Sequence, residues 1–398
     1  MKRFRTFVPA AVSALALLLV LILAHVPTKT AGAQPAELIN HPDFRPVLLS
    51  AIDSAYNFQF KGSQKRLEPW QKKHPDHPIW TFWNGFILWW KMLPDLENHS
   101  HDDDFFNTMR KTSYEASQIL KKHPDHVDAI ILQSASLGYM ARMHANRRQW
   151  VDAMQIGRNA LSAFERVKTV DPDMSDIPFG DGLYSYYMAY IPESYPVVKS
   201  ISWMLPDGNK QEGIAGLQKA ADTGLLTRGE ALYFLANINL NYENEPEKAI
   251  RYLKELNKKY PRNNFYVRAL IHAYINAKKL LKARMLVDEL IKEWNFEADP
   301  LSHVMKEELY ALTAKIYSKK DQKRSLDAAL KVDSLRSHLN GGYNRTMQQM
   351  AGYYRGYILY KQQKTEKAIE ILDTISSAEE ESQYSKEAKS LLKKIKKG

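Results

Sequence analysis

Residues 231–256 read ALYFLANINLNYENEPEKAIRYLKEL and residues 265–290 read FYVRALIHAYINAKKLLKARMLVDEL. The two stretches are in register at 34 residues. Tyr233, Ala236, Leu240, Ala249, Leu253, Leu256 and Pro261 of the first correspond to Val267, Leu270, Tyr274, Ala283, Val287, Leu290 and Asn295 of the second. Within each unit apolar side chains recur every three or four residues, the period of an amphipathic helix. A polar turn (Asn241–Pro246, then Ala277–Lys279) divides each unit into two such helices. Ala249 and Ala283 stand where the second helix must come close to the first, and Pro261 stops a helix. A self-similar helical hairpin reads as one unit of a stacked array.

These residues resemble the tetratricopeptide repeat, whose consensus has small residues near its eighth and twentieth positions and proline near the thirty-second. A further copy carries Gly356, Leu359, Ala368, Leu372 and Ile375 at the same offsets. The N-terminal half repeats at a longer interval. Lys72-Lys73-His74-Pro75-Asp76-His77 returns as Lys121-Lys122-His123-Pro124-Asp125-His126, and a third closing proline is Pro172. Counting back from each proline gives Ser63/Leu67/Trp70, Thr112/Ala116/Ile119 and Ala160/Phe164/Val167, so these are elongated repeats with long first helices such as 127–146. Between the halves, the Gly180-x-Gly182-Leu183-Tyr184-x-Tyr186-Tyr187 run and the Gly213-Ile214-x-x-Leu217 helix resemble bacterial exported repeat proteins. They are more distantly similar to the tetratricopeptide repeat protein 39 family. That resemblance implies an all-helical fold and an adaptor role, and brings no catalytic residues.

The expected fold is therefore all-α, a right-handed solenoid of helical hairpins. Its expected divisions are a leader over 1–33, elongated repeats over 34–175 and a Gly/Tyr-rich irregular repeat over 176–228. Repeats of the 34-residue type follow over 229–378, and a basic capping helix closes the chain over 379–398. Composition agrees. Of 398 residues 44% are apolar, enough for a core, while 17 glycines and 18 prolines are too few for a turn-dense all-β chain. Cysteine is absent, which excludes disulfides, thiolate metal sites and Cys nucleophiles.

The chain opens with Lys2, Arg3 and Arg5, then an apolar stretch from Ala10 to Ala24, then Ala31-Gly32-Ala33. This reads as a secretory signal peptide cut after Ala33 and places the protein in the periplasm or cell envelope. The alternative is an uncleaved membrane anchor. Removing 1–33 takes away Lys2, Arg3, Arg5 and Lys29 and no acid, so the net charge falls from +11 to +7. The surplus gathers in the tail from Lys386 to Lys397, a solvated helix face or a peripheral membrane contact. No nucleic-acid-binding motif is present.

Six of twelve histidines lie between His74 and His126 beside Asp76, Asp125 and Asp102–Asp104, and five tryptophans crowd 70–90. Both have a sharp reading, a metal- or glycan-binding module over 70–126, and a plain one, turn residues and core. No catalytic motif stands out, so the chain reads as non-enzymatic, with no catalytic residue, metal or cofactor assigned. Its partner is expected to be a protein or peptide held in the concave groove. First helices line that face in the family it resembles, and here they would present Tyr184, Tyr187, Asn237, Asn241, Arg268 and Tyr274.

Overall fold

The structure, a computed structural model, describes residues 35–194 and 207–397. The leader read over 1–33 and part of the Gly/Tyr-rich repeat read over 176–228 lie outside them. The described residues form seventeen α-helices and no strand. They are α1 (Phe44–Tyr56), α2 (Phe60–Lys73), α3 (Ile79–Met92), α4 (Asp102–Leu120), α5 (Val127–Asn146) and α6 (Trp150–Val170). Then come α7 (Ile177–Ser194), α8 (Lys210–Thr223), α9 (Arg228–Asn241), α10 (Pro246–Lys259), α11 (Asn264–Asn276) and α12 (Leu280–Glu293). The last are α13 (Ser302–Tyr317), α14 (Gln322–Leu335), α15 (Thr346–Lys361), α16 (Thr365–Ser376) and α17 (Gln383–Ile395). Each helix packs chiefly on its sequence neighbours, giving consecutive helical hairpins with α17 as the final cap. This is an all-α, tetratricopeptide-like solenoid.

One turn is reused along the stack. Two residues before the second helix of five hairpins, a non-glycine residue has positive φ: Phe58, Arg148, Asn244, Lys278 and Gln363. In four of them the next amide reaches back five residues, as Gln59 N to Ser54 O at 2.9 Å and Lys279 N to Tyr274 O at 2.8 Å. That is the Schellman ending of a helix, which satisfies carbonyls the helix leaves unpaired. The long N-terminal repeats and the shorter C-terminal ones thus share a single chain reversal.

The fourth residue of the second helix is small in almost every hairpin: Ser63, Ala153, Gly213, Ala249, Ala283, Ser325 and Ala368. Counting back from Pro172 points to Ala160 for this place. The structure gives it to Ala153, because α6 runs for 21 residues and extends the hairpin at its far end. Second-helix starts at Pro246 and Leu280 are 34 residues apart, and those at Gln322 and Thr365 follow after 42 and 43. The added length is irregular chain around Asp299 and around residues 336–345 together with longer first helices, 16 residues in α13 and α15 against 13 in α11. Asp299 holds the first of these loops through Leu301 N (2.9 Å), Trp294 Nε1 (2.9 Å) and Asn264 Nδ2 (2.8 Å). The helix after it starts at Ser302. The last helix is capped by Ser382, which leaves Glu379–Glu381 outside it. Tyr384, Ala388 and Leu392 of α17 are buried, with Leu392 and Ala388 packed on Leu372 and Ile375, and its lysines face solvent. A polar outer face on a terminal unit stops the stack from propagating.

The aromatic run of α3 is core. Trp80, Trp83, Trp89 and Trp90 are buried; Tyr56, Phe86 and Tyr266 meet Trp90 edge to face, and Tyr139 meets Trp89 in the same way. Both His-Pro-Asp-His copies sit at helix starts with Pro and Asp exposed and the last histidine buried. His77 Nδ1 accepts from Ile79 N and His126 Nδ1 from Ala129 N, each at 3.2 Å. Among the described residues no group of three or more His, Asp or Glu is placed to hold a metal ion.

Long-range polar contacts fold the stack back on itself. The connection from α3 to α4 is gripped by arginines of three other hairpins. Arg147 reaches Leu96 O and Asn98 O, Arg268 reaches Pro94 O at 2.9 Å, and Arg345 reaches Asp95 Oδ1 at 2.9 Å. Thr346 N and Oγ1 both donate to Glu97 Oε1. The first hairpin meets the α10–α11 junction through Tyr260 Oη to Asp53 (2.8 Å) and Arg262 N to Asn57 (2.9 Å).

Candidate functional site: an aromatic cavity inside the stack

Folding back leaves space in the middle. A cavity of about 990 Å³ is lined by residues drawn from helices between α1 and α13, chiefly the first helices of the hairpins. The wall is mostly apolar and rich in rings, among them Phe82, Phe86, Phe164, Phe179, Tyr187 and Phe234. Room exists because α5 offers small side chains to it. Ala135, Gly138, Ala141 and Ala145 all line the cavity, and a Cβ on Gly138 would meet nothing within 4 Å.

Most charged groups in the wall have polar partners, and Arg158, exposed, lines it as well. Arg268 donates to Glu308, and His272 Nε2 lies 2.6 Å from the other oxygen of that carboxylate. Burial raises the Glu308 carboxyl, but the Arg268 charge and the His272 contact outweigh it and hold it at about 2. Asp176 Oδ1 accepts from Leu226 N, Thr227 N and Thr227 Oγ1. Arg142 and Glu230 form the third set. Arg142 Nη1 is 3.3 Å from Glu230 Oε2, and Tyr139 Oη is 3.3 Å from Glu230 Oε1. The Arg142 guanidinium lies over Trp89 (4.4 Å), Phe234 (4.5 Å) and Tyr233 (5.0 Å). Rings around a desolvated cation stabilise it through their quadrupoles. Burial pushes the Glu230 carboxyl above its ordinary range although Arg142 pulls the other way.

Of the six residues expected in the groove, Tyr184, Tyr187, Asn237, Asn241 and Arg268 line this cavity. Asn241 Nδ2 donates to Asn237 Oδ1 at 2.7 Å one turn away, and Asn241 is exposed. Arg268 is only 4% exposed and is spent on Asn264 O, Glu308 and Pro94 O, so it builds the wall. Tyr274 is buried and does not line the cavity. Sequence reasoning passed over Tyr139, Arg142 and Glu230. The signal that could have found them is the stripe Ala135, Gly138, Arg142, Ala145, one arginine among small residues at helical spacing.

No family model matches the chain, and no curated protein matches it. Among solved structures it is similar to the crystal structure of the yeast Tom70, with a TM-score of 0.44 and 11% identity, covering 96% of this chain and 78% of that one.

Proposed function

We propose that this protein is a non-enzymatic helical-repeat scaffold that takes an apolar segment of a protein or peptide partner into the cavity, and that it works in the periplasm or cell envelope after export. The observation that carries the reading is the cavity itself, a space walled mainly by rings and small apolar side chains. Such a wall rewards burial of apolar surface at about 25 cal/mol per Å² and leaves little to hold a highly charged peptide. Asn237 and Asn241 supply amides for a main chain passing over the rings. Export is supported by the basic start, the apolar stretch and the Ala31-x-Ala33 pattern.

Gly138→Trp tests the binding reading, since the new ring grows into empty space. Capture of partners by crosslinking in the native envelope should be lost while helicity and melting are retained. Undiminished capture by the folded variant refutes the cavity as the partner site. Export is tested by sequencing the N-terminus of the protein from its native host. A start at Gln34 supports it, and an intact N-terminus with salt-resistant membrane association replaces it by an anchor.

A further inference from the structure

Arg142 differs from the other buried arginines. Arg147 makes two bonds to Asp102 and two to main-chain carbonyls. Arg268 has three acceptors, and Arg345 binds Glu307 through Nε and Nη2 and also Asp95 and Asn340 O. All three fasten one part of the chain to another. Arg142 has a single ion-pair partner among the described residues, Glu230, touched through one nitrogen at 3.3 Å, with the Tyr233 hydroxyl beside it. A guanidinium carries five N–H donors, so most of its capacity is unspent. Its side chain keeps 18% of its surface exposed, and it lines the cavity.

We infer that Arg142 is the anchor for the carboxylate of a long-chain fatty acid whose hydrocarbon chain lies along the rings of the cavity. The volume is at the top of the ~300–1,000 Å³ range of small-molecule pockets, and the pattern of apolar wall with a few polar groups is what such pockets have. A carboxylate matches a guanidinium edge with two parallel bonds. Arg158 also lines the cavity but is exposed, whereas Arg142 lies beneath the rings of Trp89 and Phe234, so Arg142 is the cation set within the apolar wall. Arg268 is saturated and does not compete for the headgroup, and Asp176 Oδ1 is held by main-chain and hydroxyl donors. Glu230 is the one carboxylate the ligand must share Arg142 with. Burial pushes its carboxyl above the ordinary range, which lowers the cost of bringing a second carboxylate to the same arginine.

The inference goes beyond the protein partner and shares with that reading only the premise that the cavity is where a ligand sits. Binding of hexadecanoate and of hexadecan-1-ol to the purified protein, followed by calorimetry, tests it. The acid should bind one molecule per chain at least tenfold more tightly than the alcohol. The double variant Arg142→Gln/Glu230→Gln leaves no bare charge behind and should remove that preference, while Gly138→Trp, with Arg142 intact, should abolish binding of both. Equal affinity for acid and alcohol, an acid preference that survives the double variant, or no binding of hexadecanoate by the wild-type chain overturns the inference. If hexadecanoate fails and Gly138→Trp still stops partner capture, the fatty-acid inference alone falls. If hexadecanoate binds as expected and capture ignores Gly138→Trp, the protein-partner reading alone falls.

Discussion

Asn263 Nδ2 donates to the main-chain oxygen of Tyr56 at 2.7 Å, joining residues 207 positions apart. The same side chain caps α11, its Oδ1 accepting from Tyr266 N at 3.2 Å, and it is fully buried. One amide therefore starts a helix and ties the first hairpin to the sixth. Around the bond, Tyr56 packs on Trp90 and Tyr260, and Gly229 comes so close that a Cβ there would lie 2.5 Å from the Tyr56 ring.

Asn263→Ala should lower stability by more than an ordinary lost cap. Removing a cap costs about 1 kcal/mol, and leaving a buried carbonyl unpaired costs about 1–3 kcal/mol. Chemical denaturation of the two proteins measures the sum. A loss confined to cap size shows that the Tyr56 carbonyl finds another donor and that the contact does not close the stack.

The shared turn predicts a stabilising change. Lys278 is in the left-handed region at φ 58°, follows the last turn of α11 and donates its amide to Ile275 O. A side chain in that conformation costs about 1–2 kcal/mol, and glycine does not bear the cost but loses more freedom on folding. Lys278→Gly should therefore raise stability by roughly 0.5–1 kcal/mol, as should Gln363→Gly at the equivalent turn. A decrease at both positions means the lysine and glutamine stems contribute packing that outweighs the backbone term.

These turns also show what a sequence hides. The helical period and the small residue of each second helix were legible because core contacts impose them directly, as at Ala249 and Ala283. The reversal before each second helix was not, because Phe58, Arg148, Asn244, Lys278 and Gln363 share a backbone conformation and no side-chain chemistry. The cavity was partly legible. Tyr184, Tyr187, Asn237 and Asn241 lie on first helices whose register could be counted. Arg142 could not be placed, since its surroundings come from α3 and α9, distant in sequence. Arg268 looked like a groove cation because nothing local announces that Pro94, 174 residues away, receives it.

Acid should weaken the Glu308 site. Its folded value of about 2 lies below the ordinary 4.5, so the ionised form is favoured by folding. The stability it contributes is complete above pH 4.5 and is lost as pH falls towards 2. Glu230 is shifted the opposite way, so lowering the pH relieves its burial and partly offsets the loss. Glu308→Gln should flatten the fall of melting temperature over that pH range. An unchanged slope means that other carboxylates set the acid limit.

Two glycines in helix interiors should respond with opposite signs to the same added methyl group. Gly138 in α5 faces the cavity, where its Cβ would touch nothing within 4 Å, so Gly138→Ala gains helix propensity without a clash. Glycine in a helix interior is worse than alanine by about 0.8–1.0 kcal/mol, which sets the expected gain. Gly182 in α7 crosses α8 with backbone against backbone. Its Cβ would come within 2.6 Å of Leu217 N and 2.9 Å of Gly213 O, atoms that cannot turn aside as a side chain can. Gly182→Ala must push the two helices apart, and overpacking of this kind costs about 1–3 kcal/mol, more than the propensity gain returns. Paired melting curves of the two variants decide it. Destabilisation by Gly138→Ala means the cavity closes around α5 in solution, and a neutral Gly182→Ala means α7 and α8 do not cross at their glycines.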